Sequence, residues 1–178
     1  MPSRAPNGRI ALLPLDHQMV RTRLERDDFT LERLIDAVHH DLHFGPEFPG
    51  EAVVMYEGFL LSTDEDGTVD GTYVVVDVEQ GEAIGQVGLT SPVVNGRTEI
   101  GYGMNPSARN RGVATLAVAR LLAILSARRD VIEVTARVAF SNPASARVLA
   151  KNGFTPAGRD PSESNLIIWD RTLRGVPE

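Results

Sequence analysis

The chain contains no cysteine among its 178 residues. Disulfide bonds, thiolate metal sites and a covalent acyl-cysteine intermediate are therefore excluded. Lysine occurs once, so Schiff-base chemistry has a single candidate, Lys151. Every apolar run is shorter than the roughly 18 residues that span a bilayer, and the N-terminus lacks the apolar segment of a secretory signal. We expect a cytoplasmic protein without a membrane partner.

Charge is distributed unevenly along the chain. Residues 25–82 contain sixteen acids and two bases, whereas residues 97–174 contain twelve bases and six acids. Such a split is typical of a protein with two unlike ligands, although acids on helix surfaces can also be merely solvated. The acidic first half disfavours nucleic acid as a partner.

The first third of the chain predicts one strand and then two helices. Residues 9–15 read as a first strand that the proline at position 14 brings to a stop. Asp27 or Asp28 is suited to cap a helix that ends by Gly45, because the apolar residues after this cap keep helical spacing. These apolar residues are Leu31, Leu34, Ile35, Val38 and Leu42.

The second helix is predicted from Gly50 to about Ser62. Its apolar side consists of Val53, Tyr56, Phe59 and Leu60. We expect the two helices to overhang whatever the later sheet binds, and we call this region the acidic lip. A lip of this charge would steer a cationic molecule towards the site. Its acids are Asp36, Asp41, Glu47, Glu51 and Glu57.

Three histidines follow one another closely in this region. His39 and His43 are four residues apart and would share one face of the predicted helix, with His40 beside them. A catalytic zinc site usually needs three protein ligands, and only Asp36 or Asp41 is near enough in sequence to add one. We expect no metal, and the histidines either line the acceptor side or are solvated.

The remainder of the chain predicts an α/β arrangement. Residues 72–78 and 83–89 form a hairpin, and a strand over 98–104 precedes an apolar helix from Val113 to about Ala127. A strand over 131–138 completes a right-handed βαβ unit with parallel strands. Asn142 caps the next helix, which stops at Gly153, and strands over 154–158 and 165–171 close the fold. We predict one α/β domain over residues 1–178, with a mixed sheet of about six to seven strands and roughly four helices.

The loop before the long helix has the features of an anion site. The first turn of a helix has backbone N–H groups without intrahelical partners, at the positive end of the macrodipole. Gly112 permits close approach of the backbone to a ligand, and Arg109 and Arg111 add positive charge. An ordinary loop entering a buried helix is the alternative interpretation.

Three motifs in register resemble the GNAT superfamily of acyl-CoA-dependent N-acetyltransferases, in particular the branch that acetylates the N-termini of ribosomal proteins. The motifs are Glu99-Ile-Gly-Tyr, then Arg109-x-x-Gly112-x-Ala114-Thr115, and then Asn142-Pro-Ala-Ser145-x-x-Val148-Leu149-x-x-x-Gly153-Phe154. The resemblance is strong over residues 98–154, whereas the flanking segments agree only in the order of their elements.

The resemblance implies an acetyl-CoA site and a single GNAT-like domain. Its pyrophosphate would bind the loop, and its pantetheine arm would lie beside the strand near residues 101–104 and meet Asn142. An acceptor amine then attacks the thioester directly, with a base to take the ammonium proton and an acid near the leaving sulfur. The implied donor-binding residues are Tyr102, Gly103, Met104, Arg109, Arg111, Gly112, Val113, Ala114, Thr115 and Asn142.

For the catalytic residues the resemblance implies more than one candidate. Many family members place a tyrosine seven residues after the asparagine as the acid, and this chain has Leu149 there. The ribosomal-protein branch suggests Ser145 as the substitute, although Ser145 also suits a structural role in the first helical turn. Glu99 is our first candidate for the base, with Glu133 and Glu163 as alternatives.

We therefore expect an enzyme that acetylates a primary amine, either a small cationic molecule or a protein N-terminus. A non-catalytic acyl-CoA-binding sensory or regulatory module is the alternative, because the tyrosine is missing. A Walker-type nucleotide site is absent, since no Gly-Lys-Ser/Thr follows the loop. The identity of the acceptor and the oligomeric state stay open, although dimers are common in the family.

Overall fold

The structure is a computed structural model that describes residues 9–59 and 67–174. The described residues form nine strands and four α-helices. The strands are β1 (Ile10–Asp16), β2 (Phe29–Ile35), β3 (Val38–Phe44), β4 (Thr68–Asp77), β5 (Glu82–Leu89), β6 (Arg97–Met104), β7 (Glu133–Ala139), β8 (Thr155–Arg159) and β9 (Leu166–Thr172). The α-helices are α1 (His17–Glu25), α2 (Tyr56–Phe59), α3 (Val113–Ala127) and α4 (Pro143–Lys151), and 3-10 helices cover Gly50–Met55 and Pro106–Ala108.

The predicted α/β class with a mixed sheet is confirmed, with more strands than the six to seven expected. By its internal contacts the described chain divides into two compact units. The first contains the described residues up to Val87 together with Tyr102–Ala117, and the second contains Gly88–Gly101 and the described residues from Val118 onward. Strands β5 and β6 contribute residues to both units.

The first unit contains strands in the order β1-β4-β5-β6 and the hairpin β2–β3. β1 pairs with β4 antiparallel, and the register shifts between Pro14 and Asp16. The strand predicted over residues 9–15 is therefore found as Ile10–Asp16, but Pro14 does not stop it, because pairing resumes at Asp16 after the shift. β3 joins β5 in parallel through the pair His43 and Glu82.

The helix predicted after Asp27 or Asp28 is wrong, because residues 29–44 form an antiparallel hairpin. Asp36 and Ala37 both have positive φ, 50° and 63°, as a two-residue hairpin turn of the type I′ class requires. Phe29 and Phe44 stack with ring centroids 4.7 Å apart, so the hairpin packs its aromatic face into the core of the first unit. The helix that the structure does contain here, α1, was not predicted; it is capped by Asp16, whose Oδ1 accepts from the Met19 N–H at 2.8 Å.

Over the residues that the structure describes, the second predicted helix is more irregular than expected. Its first part is the 3-10 helix and only Tyr56–Phe59 is α-helical, while Leu60 and Ser62 lie outside the described residues. Tyr56 is fully buried and Phe59 packs against the same core, as the apolar pattern predicts.

The second unit contains the order β6-β7-β9-β8. β6 and β7 pair in parallel over Arg97–Glu99 and Glu133–Thr135, which confirms the predicted parallel pairing on either side of the long helix. β7 pairs with β9 antiparallel along its whole length. β8 pairs with β9 with a register shift between Pro156 and Gly158. None of the helices in the described residues is long and apolar enough to cross a membrane.

Candidate active site

The loop predicted to bind acetyl-CoA, called the donor loop here, connects β6 to α3 over residues 105–112. Its first residue is held in the first unit by hydrogen bonds. Asn105 follows β6, and its backbone N–H donates to the Ile84 carbonyl at 2.9 Å. Its side-chain Nδ2 donates to the Ala83 carbonyl at 3.0 Å, and the residue is only 7% exposed. The loop therefore departs from the sheet at a residue that β5 holds by two hydrogen bonds.

The loop ends in a left-handed turn that opens α3. Asn110 and Gly112 have φ of 59° and 76°, and the hydrogen bond from the Leu116 N–H to the Gly112 carbonyl, 3.2 Å, starts the helix. The N–H groups of Val113 and Ala114 precede that bond, so they lie at the positive end of the helix.

Space for a ligand exists at this turn. A Cβ atom placed on Gly112 would meet no heavy atom of the described residues within 4 Å. Arg109 and Arg111 are exposed, and Arg109 is oriented by a hydrogen bond from its Nε to the Met104 carbonyl, 3.1 Å. An open turn at a helix start, in a loop that carries two exposed arginines, is suited to bind an anion.

The strand leading to the loop places its three predicted donor-binding residues differently. Tyr102 is half-buried, Gly103 is exposed and Met104 is buried. Across the strand pair, a Cβ atom on Gly85 would lie 2.5 Å from the Gly103 carbonyl oxygen. Glycine at position 85 therefore lets β5 and β6 approach closely just before the loop.

In the second unit, Asn142 caps α4 as predicted. Its Oδ1 accepts from the Ser145 backbone N–H at 3.1 Å. The capping contact uses the backbone of Ser145, so the hydroxyl is not needed for the cap. The structural role considered for Ser145 and a chemical role for its hydroxyl are thus compatible.

The second unit also contains an open cleft of about 530 Å³ on the face of the sheet where Glu99 lies. Hydroxyl and charged side chains line much of this cleft, together with a few apolar ones such as Ile168. The polar lining consists of Ser91, Arg97, Thr98, Glu99, Thr135, Arg137, Asp160 and Ser162.

The Glu99 carboxylate is held on both of its oxygens. Oε1 accepts from the Thr90 hydroxyl at 3.1 Å, and Oε2 accepts from Arg137 Nε at 3.0 Å. Arg137 Nη1 also lies 3.5 Å from Asp160 Oδ2 and 3.6 Å from Glu163 Oε1. The hydrogen bond and charge of Glu99, with the charge of Asp160, raise the pKa of Arg137 and keep it cationic.

Asp160 is a fixed anion at the edge of this cluster. Its side chain is 6% exposed, and its Oδ1 accepts from the Ser162 hydroxyl at 2.6 Å, the Ser162 N–H at 2.8 Å and the Glu163 N–H at 3.1 Å. These hydrogen bonds, with the Ser162 hydroxyl first, lower the pKa of the Asp160 carboxyl.

Sequence reasoning did not single out Arg137 or Asp160. The period-2 alternation of β7 from Glu133 could have placed Arg137 on the face of Glu99, given the predicted parallel pairing. Of the alternative bases, Glu163 belongs to this cluster. Glu133 instead pairs with Arg97 at 2.5 Å across β6 and β7.

The acids of the predicted lip lie on several separate elements. Asp36 sits in the hairpin turn and pairs with Arg9, Asp41 lies on β3, and Glu57 lies on α2. Glu47 binds Ser107, and the side chain of Glu51 lies outside the described residues. The two-helix lip is therefore wrong as a structure, because its first helix is a hairpin.

The three histidines lie on β3 instead of a helix. His39 Nδ1 is 2.6 Å from Glu32 Oε1, and His43 Nε2 is 3.0 Å from Asp28 Oδ1. In the part of the chain that the structure describes, no group of three or more such side chains is placed to hold a metal ion.

Comparison with protein families gives a match to the acetyltransferase (GNAT) domain over residues 24–155. A curated relative, an uncharacterised N-acetyltransferase of Bacillus subtilis named YjdG, is 30% identical over 105 residues. That match covers 58% of this chain and 62% of the relative, so the chain spans less than two thirds of it.

Solved structures share the fold at low identity. A spermidine N-acetyltransferase from Vibrio cholerae, in complex with CoA and spermine, has a TM-score of 0.63 at 16% identity, over 94% of this chain and 97% of that one. A ribosomal-protein alanine acetyltransferase from Vibrio fischeri has a TM-score of 0.53 at 21% identity, over 57% of this chain and 61% of that one.

Proposed function

The chain belongs to the GNAT acetyltransferase family, and we propose that it transfers an acetyl group from acetyl-CoA to a primary amine. The observation that carries the proposal is the open turn at Gly112, where φ is 76° and a Cβ would meet nothing described within 4 Å. The backbone from Arg111 to Thr115 would bind the pyrophosphate, with Arg109 and Arg111 as counter-charges. Bound acetyl-CoA supplies an activated acetyl thioester.

Further roles are assigned to this chain's own side chains. Tyr102, Gly103 and Met104 would bind the pantetheine arm, and Asn142 would meet it from the start of α4. Glu99 would bind the acceptor ammonium and take its proton at a carboxylate oxygen, directly or through water. The Ser145 hydroxyl would donate a proton to the leaving sulfur.

Two acceptor classes fit the proposal, a cationic small amine and a protein N-terminus. Arg97 also lines the cleft and pairs with Glu133. In and beside the cleft the carboxylates still outnumber the two guanidinium groups, so an ammonium group is favoured there by charge. These carboxylates are Glu99, Glu133, Asp160 and Glu163. Relatives of both kinds share the fold, a spermidine acetyltransferase and a ribosomal-protein acetyltransferase.

The test is a turnover screen of the full chain with acetyl-CoA against spermidine, a peptide with N-terminal alanine, and benzylamine as a singly charged control. We expect release of free CoA together with the acetylated amine. Tight acetyl-CoA binding without turnover on any amine would instead support the non-catalytic acyl-CoA-binding module.

A salt series on the same acceptors separates the two classes. Charge attraction between exposed groups is screened over a Debye length of about 10 Å at 0.1 M salt. If a second positive charge is recognised, kcat/KM for spermidine should fall with ionic strength more steeply than for benzylamine. Equal slopes would exclude recognition of a second positive charge and would favour recognition by shape or by peptide backbone.

A further inference from the structure

The guanidinium group of Arg137 lies among three carboxylates in the second unit. Its Nε donates to Glu99 Oε2 at 3.0 Å, and its Nη1 lies 3.5 Å from Asp160 and 3.6 Å from Glu163. Arg137 is 40% exposed by its side chain, whereas Asp160 is 6% exposed. Asp160 is therefore fixed within the protein, whereas Arg137 faces the cleft.

We propose that Arg137 is the positioning residue that aims Glu99 at the acceptor amine, and that Asp160 is the anchor that holds Arg137 in place. The inference rests on the proposed acetyl transfer, in which Glu99 binds the ammonium. Arg137 and Asp160 do not contact the acceptor in this scheme; they act through Glu99.

Hydrogen-bonding capacity supports this assignment. An ionised carboxylate offers about four lone-pair sites, and Thr90 and Arg137 each occupy one, on different oxygens. The carboxylate cannot rotate without breaking both bonds, so its remaining acceptor sites keep a constant direction. A pre-oriented charge costs no reorganisation when the acceptor arrives.

The shape of the arginine head group is required for this role. A planar guanidinium can donate from Nε to one carboxylate and from Nη1 towards another, whereas a lysine ammonium is a point charge on a flexible stem. Asp160, fixed by Ser162 and Glu163, determines where the Nη1 side of the group lies. Substitution by lysine should therefore keep the charge and lose the orientation.

The first measurement reads the resting protein and needs no turnover. In the ¹⁵N-labelled full chain, solvent exchange of the Arg137 Nε–H is followed by NMR. In Glu99→Gln the Nε–H loses its charged acceptor, which should speed this exchange by about tenfold or more. In Asp160→Asn the Nη1 side is released, so the guanidinium is held less firmly against Glu99 and exchange of the Nε–H should also be faster. Exchange unchanged in Asp160→Asn would overturn the anchoring role of Asp160.

The second measurement is steady-state kinetics with spermidine and with the alanine peptide. A misdirected catalytic group typically costs about 10²-fold, so we expect kcat to fall by that factor in Arg137→Lys and Arg137→Gln, with the KM for acetyl-CoA unchanged. Millimolar guanidinium should restore part of the rate of Arg137→Gln. The control is Arg128→Gln, which breaks the ion pair with Asp130, two residues that do not line the cleft. Its kcat should stay near the wild-type value, and guanidinium should not change it.

The outcomes separate the two claims. If the wild-type chain turns over and the kcat of the Arg137 variants lies within about threefold of its kcat, the positioning role is overturned and acetyl transfer still stands. A loss of kcat in Arg128→Gln as large as in Arg137→Gln would mean that loss of an ion pair elsewhere in this unit lowers the rate equally, and it would overturn the positioning role as well. A wild-type chain that acetylates no amine would overturn the proposed function itself, and the catalytic part of this inference with it.

Discussion

Glu47 accepts two hydrogen bonds from Ser107, one from its backbone N–H at 3.1 Å and one from its hydroxyl at 2.7 Å. The pair joins the segment after β3 to the start of the donor loop, within the first unit. These hydrogen bonds, with the hydroxyl first and a smaller effect from the charge of Arg109, lower the pKa of Glu47. Ionised Glu47 therefore stabilises the position of Ser107 at the start of the donor loop.

The first prediction is a pH dependence of this contact. Because the pKa of Glu47 is depressed by folding, its stabilising effect is present above the pKa of an unfolded glutamate and is lost as pH falls through the lowered folded value. The NMR shift of the Ser107 amide should report that titration, with a midpoint below that of a free glutamate. In Glu47→Gln the acidic titration step should vanish, whereas Glu57→Gln, on α2, should retain it. A Ser107 step that persists in Glu47→Gln would assign it to another carboxyl.

The second prediction concerns Gly112. Substitution by alanine should destabilise the fold by about 1–2 kcal/mol, because the residue is in the left-handed region. Substitution by glutamate should also abolish measurable acetyl-CoA binding in calorimetry, since the side chain would fill the open turn and repel the pyrophosphate. Circular dichroism should show that the fold is retained.

A matched control for Gly112 exists at Gly50, which has φ of 66° and equally open space at its Cβ position. Gly50→Glu places a glutamate at a similar positive φ and adds the same charge, at a residue that is not part of the donor loop. We expect it to keep normal acetyl-CoA affinity. Equal losses in both variants would mean that strain, and not occupation of the turn, abolishes binding.

The third prediction contrasts two glycines on neighbouring strands. A Cβ on Gly85 would lie 2.5 Å from the Gly103 carbonyl and 2.7 Å from Met104 Sδ, whereas a Cβ on Gly103 would meet nothing described within 4 Å. Gly85→Ala should lower the free energy of unfolding by about 1–3 kcal/mol through overpacking. Gly103→Ala should leave stability nearly unchanged and raise the KM for acetyl-CoA. Denaturant unfolding of both variants checks the first claim, and a low cost at Gly85 would mean that the strands separate easily.

The fourth prediction tests the Ser145 hydroxyl. Because Asn142 caps α4 through the backbone N–H of Ser145, Ser145→Ala should preserve the helix. If the hydroxyl acts as general acid, kcat should fall by about 10²-fold or more with little change in the KM for acetyl-CoA. Ser141→Ala, just before the cap, serves as the control. A change below about threefold would leave solvent as the proton source.

The sequence predicted the second half of the fold well, because its local signals agree with its packing. The apolar stretch of α3, the Asn142-Pro143 start of α4 and the parallel strands on either side of α3 are all found. Each signal is short in range: a cap, a helix-compatible proline or a β-branched run is read from a few neighbouring residues.

The hairpin β2–β3 was mistaken for a helix for identifiable reasons. Arg33 faces inward, at 15% side-chain exposure with an ion pair to Asp16, and Leu34 points outward at 56% exposure. These two residues hide the alternation of the strand and leave apolar residues at helical spacing. The turn also uses Ala37 at positive φ, where the usual glycine signal of such a turn is missing.

The sequence predicted only part of the candidate site, for a different reason. Glu99 and Gly112 lie in motifs that sequence spacing reveals, but Arg137 and Asp160 are brought to Glu99 by the pairing of β6 with β7 and by the loop after β8. Contacts of long sequence separation depend on strand register, and one residue of slip would turn Arg137 to the opposite face.

The register shifts beside Pro14 and Pro156 affect how molecules of this protein meet one another. β1 and β8 each stand at the end of their unit's strand order, and each shifts register next to its proline. A proline offers no N–H to an approaching strand, and a local bulge turns the exposed backbone away. Neither β1 nor β8 should therefore accept a strand of another copy at its proline, and complexes between copies should form elsewhere on the surface.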